Sequence, residues 1–170
     1  PVTPLNLIAA QAACVNGGYL YEPYLVEESR DSDGNVLYRH DATPIRQVIS
    51  EETSAEVREC LEYVVSGGTG KNGQVAGYRI GGKTGTADKG QTGDVVVSFV
   101  CFAPADDPEI MMLITMDTPS RATNVYVSGG NMVAPYSSAI MAEILPYLGF
   151  EPSYSADELL GIDTTVPSVV

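Results

Sequence analysis

Basic residues, histidine and cysteine are all scarce in this 170-residue chain, and none of its apolar runs is long. Lysine and arginine number 9 against 22 acidic residues, a formal net charge of -13. A surface of that sign repels polyanions, which argues against nucleic acid or anionic lipid as a partner. The one histidine, His40, sits on an arm of a hairpin-like stretch and reads as an exposed strand residue rather than part of a triad. The cysteines Cys14, Cys60 and Cys101 lie far apart, form no CxxC and are set in apolar sequence. They point away from a zinc site or a disulfide framework and read as buried free thiols. No stretch reaches the roughly 18 apolar residues that a membrane-spanning helix needs. Pro1-Val2-Thr3-Pro4 does not resemble a signal peptide, so the sequence reads as beginning inside a longer protein.

What is present describes a globular domain, with 44% hydrophobic and 18% charged residues. Thr3-Pro4 has the form of an N-cap followed by proline at the first helical position. Leu5, Ile8, Ala9 and Ala12 then share a face, and Asn16-Gly17-Gly18 ends the helix. Leu25 to His40 reads as a hairpin turning at Asp31-Ser32-Asp33-Gly34. A second helix starts near Ser50 to Thr53, with Thr53 and Glu56 at capping-box spacing. Its predicted buried stripe is Val57, Cys60, Leu61 and Val64, and Gly67-Gly68 stops it. The glycine-rich segment 67–77 is expected to be a mobile loop.

Three strands are predicted next, over 78–86, 95–102 and 110–117, with 104–108 as a turn between the last two. Short connections favour antiparallel pairing, and the near-continuous apolar runs predict a sheet covered on both faces. A final helix is expected over 132–148, with Ile140, Ile144, Leu145 and Leu148 inward, Pro135 in its first turn and Pro146 disturbing its last. Residues from Glu151 to Thr164 read as a linker. Glu51-Glu52 and Asp106-Asp107 read as a helix N-terminus and a turn, not as paired catalytic carboxylates.

The chemistry concentrates in Gly81-Gly82-Lys83-Thr84-Gly85-Thr86. Residues 77–84 match the phosphate-binding pattern G-x-x-x-x-G-K-[ST] in full, and Asp117 at the end of an apolar strand imitates a magnesium-holding acid. That alternative requires a strand before the loop and a helix opening directly after the lysine. Residues 71–76 are too polar for such a strand, and Gly85 opposes a helix start. The other reading is the Lys-Thr-Gly motif of penicillin-recognising enzymes, which lies on a strand edge. There, Lys83 supplies positive charge, Thr84 and Thr86 offer hydroxyls to a carboxylate, and Gly85 leaves room for a substrate to approach the backbone.

The surrounding sequence supports this second reading. Gly68-Thr69-Gly70-Lys71-Asn72 precedes the motif, and Val2-Thr3-Pro4-Leu5 and Ala13-Cys14-Val15-Asn16-Gly17-Gly18 open the chain. Residues 98–104 (Ser-Phe-Val-Cys-Phe-Ala-Pro) and 129–135 (Gly-Gly-Asn-Met-Val-Ala-Pro) follow it. In that order these segments resemble class B penicillin-binding proteins, most closely Gram-positive division or sporulation types. The likeness covers residues 1–152. Residues 153–170 would then be a linker, with Thr165-Val166-Pro167-Ser168-Val169-Val170 resembling the opening of a PASTA repeat.

The resemblance implies an α/β fold of the α+β type, an antiparallel sheet flanked by helices, present as its C-terminal part of about three strands and three helices. It implies a D,D-transpeptidase acting on peptidoglycan stem peptides through a serine acyl-enzyme, captured by β-lactams, without metal or organic cofactor. Lys83 and Thr86 would be catalytic. Thr84, Gly85 and Thr86 would bind substrate, and Tyr126, Gly129 and Gly130 would form a loop at the cleft. The chain contains no S-x-x-K and no S-x-N, so the serine must come from an upstream half of the domain, and the segment alone is expected to be inactive. Location outside the cytoplasmic membrane and contacts with division or sporulation proteins are implied in the same way. A non-catalytic module that binds wall peptide or a division partner through the same groove remains an alternative at this point.

Overall fold

The computed structural model describes residues 2–90, 93–122 and 124–154. The segment read as the opening of a PASTA repeat lies outside them. The chain divides into two compact units, Pro1–Ala55 and Glu56–Val170, and each is described by itself.

The first unit begins with α1 (Pro4–Val15), where the Thr3 hydroxyl accepts the Asn6 N–H at 3.2 Å. The cap is as predicted, and the predicted face holds in part: Ile8, Ala9 and Ala12 are half-buried, Leu5 is exposed, and full burial falls on Ala13 and Val15 in the last turn. Its carbonyl end would be left unsatisfied without help. Ser54, fully buried, donates to Cys14 O at 2.9 Å and accepts from Gly17 N at 3.0 Å. A two-residue ladder, β1 (Tyr19–Leu20) with β4 (Arg46–Gln47), was not legible in the sequence because neither strand is long enough to show a period. Between them β2 (Glu28–Arg30) and β3 (Val36–Arg39) form the predicted hairpin, shorter than expected. The Asp31 carboxylate holds its turn by accepting from Asp33 N and Asn35 N. His40 is partly covered and stacks on Tyr24, ring centroids 3.9 Å apart.

The unit boundary falls within α2 (Glu51–Ser66). Its cap is Ser50, whose hydroxyl accepts the Thr53 N–H at 3.2 Å. Thr53 is therefore the third residue of the first turn, and the Thr53–Glu56 capping box is corrected by three residues. The predicted stripe is corrected too. Val65 is buried, Val57, Leu61 and Val64 are half-buried, and Cys60 is exposed. Only Cys101 of the three thiols is buried, and burial pushes its pKa up to about 12, so it stays protonated.

The second unit is built on the sheet β5 (Gly81–Asp88), β6 (Val95–Ala103) and β7 (Ile110–Asp117), antiparallel in the order β5-β6-β7. The first strand starts three residues later than predicted. Cross-strand partners share a face, and the register places Val97, Phe99 and Cys101 with Met116, Ile114 and Met112. These residues pack with Val65, Val133, Met141 and Leu145 in one core. On the opposite face Val100 and Phe102 are buried, but Val96 and Ser98 are only half-buried. Full cover on both faces therefore holds for only one end of the central strand.

Gly129–Met132 forms the short helix α3, and α4 (Ala134–Tyr147) follows with Pro135 in its first turn, as predicted. The inward stripe is Ala134, Ser137, Ser138, Met141 and Leu145, while Ile140 and Leu148 are exposed. The small residue Ser138 on this side lies against the 71–74 turn, where its hydroxyl donates to Gln74 O. A reading based on bulk hydrophobicity set the phase one residue off. After α4 the chain returns to the sheet. Tyr78 donates to Phe150 O at 3.0 Å, and Ser153 N donates to Gly77 O at 2.7 Å.

Segment 67–77 departs most from expectation. It contains a 3-10 turn, Lys71–Gly73, and is anchored at several points. Gln74 donates to Val65 O at 3.1 Å and Ser66 O at 3.0 Å, and Ser138 donates to Gln74 O. Its glycines receive a side chain. A Cβ at Gly73 would stand 2.6 Å from the Phe99 ring, one at Gly70 3.1 Å, and one at Gly82 2.8 Å. Phe99, fully buried, occupies a slot that three glycines keep open.

Candidate active site

The Lys-Thr-Gly residues lie in the middle of β5, an outer strand of its sheet. The pleat alternates side chains. Thr84 and Thr86 pair with Phe99 and Val97 on the core face, whereas Lys83 and Gly85 pair with Val100 and Ser98 on the other. The four predicted site residues thus share a strand but not a face. They meet at its edge, where the exposed Lys83 stem curls back so that Nζ donates to Thr84 O at 2.8 Å.

Close packing explains the motif glycine. A Cβ on Gly85 would stand 2.4 Å from Ser98 Oγ, so a side chain there would collide with the serine hydroxyl unless it turned away. The predicted cleft loop is partly brought here. A Cβ on Gly129 would lie 2.0 Å from Ser98 O and 2.7 Å from Gly85 O. One on Gly130 would lie 2.3 Å from Thr69 O and 3.4 Å from Thr84 Cγ2. The start of α3 therefore rests directly on the motif backbone, with Ser128 capping it by accepting from Asn131 N at 3.2 Å. Tyr126 is 78% exposed, and its carbonyl accepts from Asn131 Nδ2 at 3.3 Å.

Residues that the sequence reading did not single out complete the site. Thr69 Oγ1 and Thr84 Oγ1 are 3.2 Å apart, and Asn72 Nδ2 donates to Gly130 O at 2.9 Å. Glycines spaced to admit one aromatic ring, Gly70 and Gly73, were the available sign that this loop is packed rather than free. Behind the motif, Arg79 grips Glu62 with two bonds of 2.7 Å and reaches Asp106 at 3.3 Å. The bidentate carboxylate raises its pKa further above the usual range. This cluster ties α2 and the 104–108 turn to the entry of β5.

The phosphate-loop alternative is overturned. A strand, not a helix, follows Lys83, so no helix opens after the lysine as a phosphate loop requires. Asp117 is engaged by Lys89 Nζ at 2.5 Å, with Thr118 Oγ1 beside it, and both lower its pKa. Among the described residues no three His, Cys, Asp or Glu side chains group as a metal site would require. No helix among them is long and apolar enough to cross a membrane.

Comparison with known proteins agrees with this geometry. The family described as "Penicillin binding protein transpeptidase domain" matches residues 1–142. "Stage V sporulation protein D" of Bacillus subtilis is 44% identical over 157 residues, covering 89% of this chain and 24% of that protein. Among solved structures, the D,D-transpeptidase domain of a peptidoglycan glycosyltransferase from Eggerthella lenta superposes with a TM-score of 0.73 at 28% identity, covering 87% of this chain and 33% of that one. The transpeptidase domain of Burkholderia pseudomallei penicillin-binding protein 3 gives 0.69 at 32%, covering 91% and 45%. The chain spans about a quarter of the length of the curated relatives it matches.

Proposed function

The chain belongs to the penicillin-binding protein transpeptidase family, and on that premise we propose that it forms the Lys-Thr-Gly half of a peptidoglycan D,D-transpeptidase whose serine another segment carries. The observation that carries this reading is the outer edge of β5, which presents the motif with Lys83 exposed and Gly129–Gly130 seated beside it. A stem peptide laid along that edge can pair with strand backbone, as peptides do on open sheet edges. Lys83 attracts the donor's terminal carboxylate, and the Thr84 and Thr86 hydroxyls receive it. The Thr86 N–H is one oxyanion donor, and the serine's own N–H is the other.

In the reaction the serine oxygen bonds to the penultimate D-alanine carbonyl carbon. The bond from that carbon to the terminal D-alanine nitrogen breaks, and D-alanine leaves with the proton. An amine of a second stem peptide then displaces the serine. β-Lactams enter by the same first step and remain attached. The apolar outer strand β7 is the place where the serine-bearing part of the domain adds its own strands. The whole enzyme works outside the cytoplasmic membrane, in wall synthesis during sporulation or division.

Intact-mass spectrometry after incubation with excess penicillin tests this. The expected adduct is absent from this chain alone and present, on a serine, when the serine-bearing segment is joined to it. An adduct on this chain alone would disprove the assignment of roles. No adduct in the joined, folded protein would favour a module that only binds wall peptide.

A further inference from the structure

We propose that the β2–β3 ribbon is a docking surface for a partner polypeptide, one that brings an arginine or lysine into the pocket at the ribbon's base and lays apolar side chains along β3. The proposal stands apart from the motif chemistry, since all of its residues belong to the first unit.

A two-stranded hairpin is marginal in water unless a further strand or another element covers one of its faces. Here every residue of β3 is exposed, and in β2 only Glu28 is half-buried. Leu37 is 69% exposed, Val36 and Tyr38 are close to half exposed, and Leu25 in the arm before β2 is fully so. The ribbon keeps its shape by polar means instead. The Asp31 carboxylate closes the turn, accepting from Asp33 N, Asn35 N and Asn35 Nδ2. Glu28 faces Arg39 across the strands and binds both Arg39 and Arg30. The apolar side chains are thus not spent on holding the ribbon together. A partner meets them on a frame that is already ordered, which lowers the entropy cost of binding. Apolar side chains gathered on one exposed element mark an interaction surface.

The pocket identifies the partner's chemistry. Tyr24, Glu27, Glu28, Arg39, His40 and Ala42 line a cavity of about 370 Å³. The stacked rings of Tyr24 and His40 form part of its wall. Glu28 and Arg39 are paired with each other. Glu27 is exposed, and its carboxylate makes no hydrogen bond or ion pair. A free carboxylate beside an aromatic ring suits a guanidinium or ammonium group, through ion pairing and attraction to the ring face. The wider field has the same sign, because residues 21–42 carry six acids against two arginines. That field repels a second copy of the ribbon, nucleic acid and anionic lipid alike. A neutral sugar would meet the ring and leave the Glu27 charge unanswered. A basic segment with apolar side chains answers both the pocket and the exposed face of β3.

The test uses the protein with its serine-bearing segment joined, and two dye-labelled synthetic peptides read by fluorescence anisotropy. One peptide alternates arginine with valine over about ten residues, the upper length of an ordinary strand. The other has glutamate in place of every arginine. The arginine peptide is expected to bind and the glutamate peptide not to. Glu27→Gln should weaken binding about fivefold, the scale of one exposed ion pair with its ring contact. Leu37→Ser should weaken it by about the same factor, through loss of one partly buried leucine. Both side chains are exposed, so neither change opens a cavity. Glu143→Gln, at an exposed site on α4, removes the same charge and should leave binding unchanged. No binding of the arginine peptide overturns the proposal. Equal weakening by Glu27→Gln and Glu143→Gln also overturns it, since that is bulk attraction to an acidic chain. A Leu37→Cys thiol that resists maleimide in the joined protein would assign the ribbon to the serine-bearing segment. Self-association of the joined protein that Leu37→Ser abolishes would assign it to a second copy. Either result overturns the basic partner. None of these readouts involves acylation, so failure of the transpeptidase reading would leave them intact.

Discussion

The two outer strands of the sheet are equal in length and opposite in chemistry. Each has eight residues and leaves one edge without a partner strand among the described residues. On β5 the sequence Gly-Gly-Lys-Thr-Gly-Thr keeps side chains small, and its glycines let neighbouring backbone and rings come within contact. On β7 the sequence Ile-Met-Met-Leu-Ile-Thr-Met is apolar and mostly half-buried. An open edge is a template for any extended chain. Small, polar residues make an edge that a peptide can occupy and leave. Apolar residues on both faces make one that a permanent partner must cover. Under the proposed function, transient substrate falls to β5 and the rest of the domain to β7.

The comparison can be broken most easily at Lys83. Its side chain is exposed and makes one bond, to Thr84 O. Lys83→Ala is expected to lower penicillin acylation of the joined protein by a hundredfold or more, the usual scale for losing a preorganised charge stabiliser, with melting unchanged. A parent-like acylation rate would remove the functional meaning of the β5 edge.

Packing at the same edge gives the next effect. Gly129→Ala presses a methyl onto Ser98 O, and Gly85→Ala presses one onto Ser98 Oγ. Each should destabilise by about 1–3 kcal/mol, as overpacked sites do. Adding Ser98→Ala should restore much of the loss for Gly85→Ala and none for Gly129→Ala, because only the first clash is with a side chain. Equal rescue in denaturant melts would contradict this packing.

The β7 edge is probed by self-association. The isolated chain is expected to oligomerise with concentration in sedimentation experiments, and Leu113→Lys to suppress this, since charge on an edge strand blocks pairing. A monomer at all concentrations would show that β7 needs no partner.

The smallest effect lies at the far end of both strands. Lys89 holds the Asp117 carboxyl below its ordinary value of about 3.8. A depressed folded-state pKa stabilises above the unfolded value and loses that contribution as pH falls through the lowered one. Lys89→Met should move the Asp117 titration, followed by NMR, back up toward 3.8 and flatten this acid limb. Both groups are exposed, so the change in stability should be slight.

Sequence periodicity located β6 and β7 within a residue, because β-branched and apolar runs of that length have few other conformations. The Thr3-Pro4 start of α1 was equally plain, since a cap is chemistry between near neighbours. Helix phase was less legible. In α4 the core takes Ser137 and Ser138 while Ile140 stays outside, which depends on contacts such as that of Ser138 with Gln74 O, 64 residues away. The Lys-Thr-Gly motif was visible as a string of letters. That its lysine and threonines face opposite ways followed only once the strand and its register were known.

The sequence by itself indicated which residues could carry chemistry, where the longer helices and strands lie, and that nucleic acid and phosphate-loop chemistry fit poorly. These depend on composition and on contacts within a few residues. Tertiary structure alone decided what the glycines are for and which side chains meet beside the motif. Phe99 fills the slot of Gly70, Gly73 and Gly82, and Thr69 Oγ1 stands 3.2 Å from Thr84 Oγ1, fifteen residues away. Such pairings join segments distant along the chain, and no local spacing encodes a distance across space.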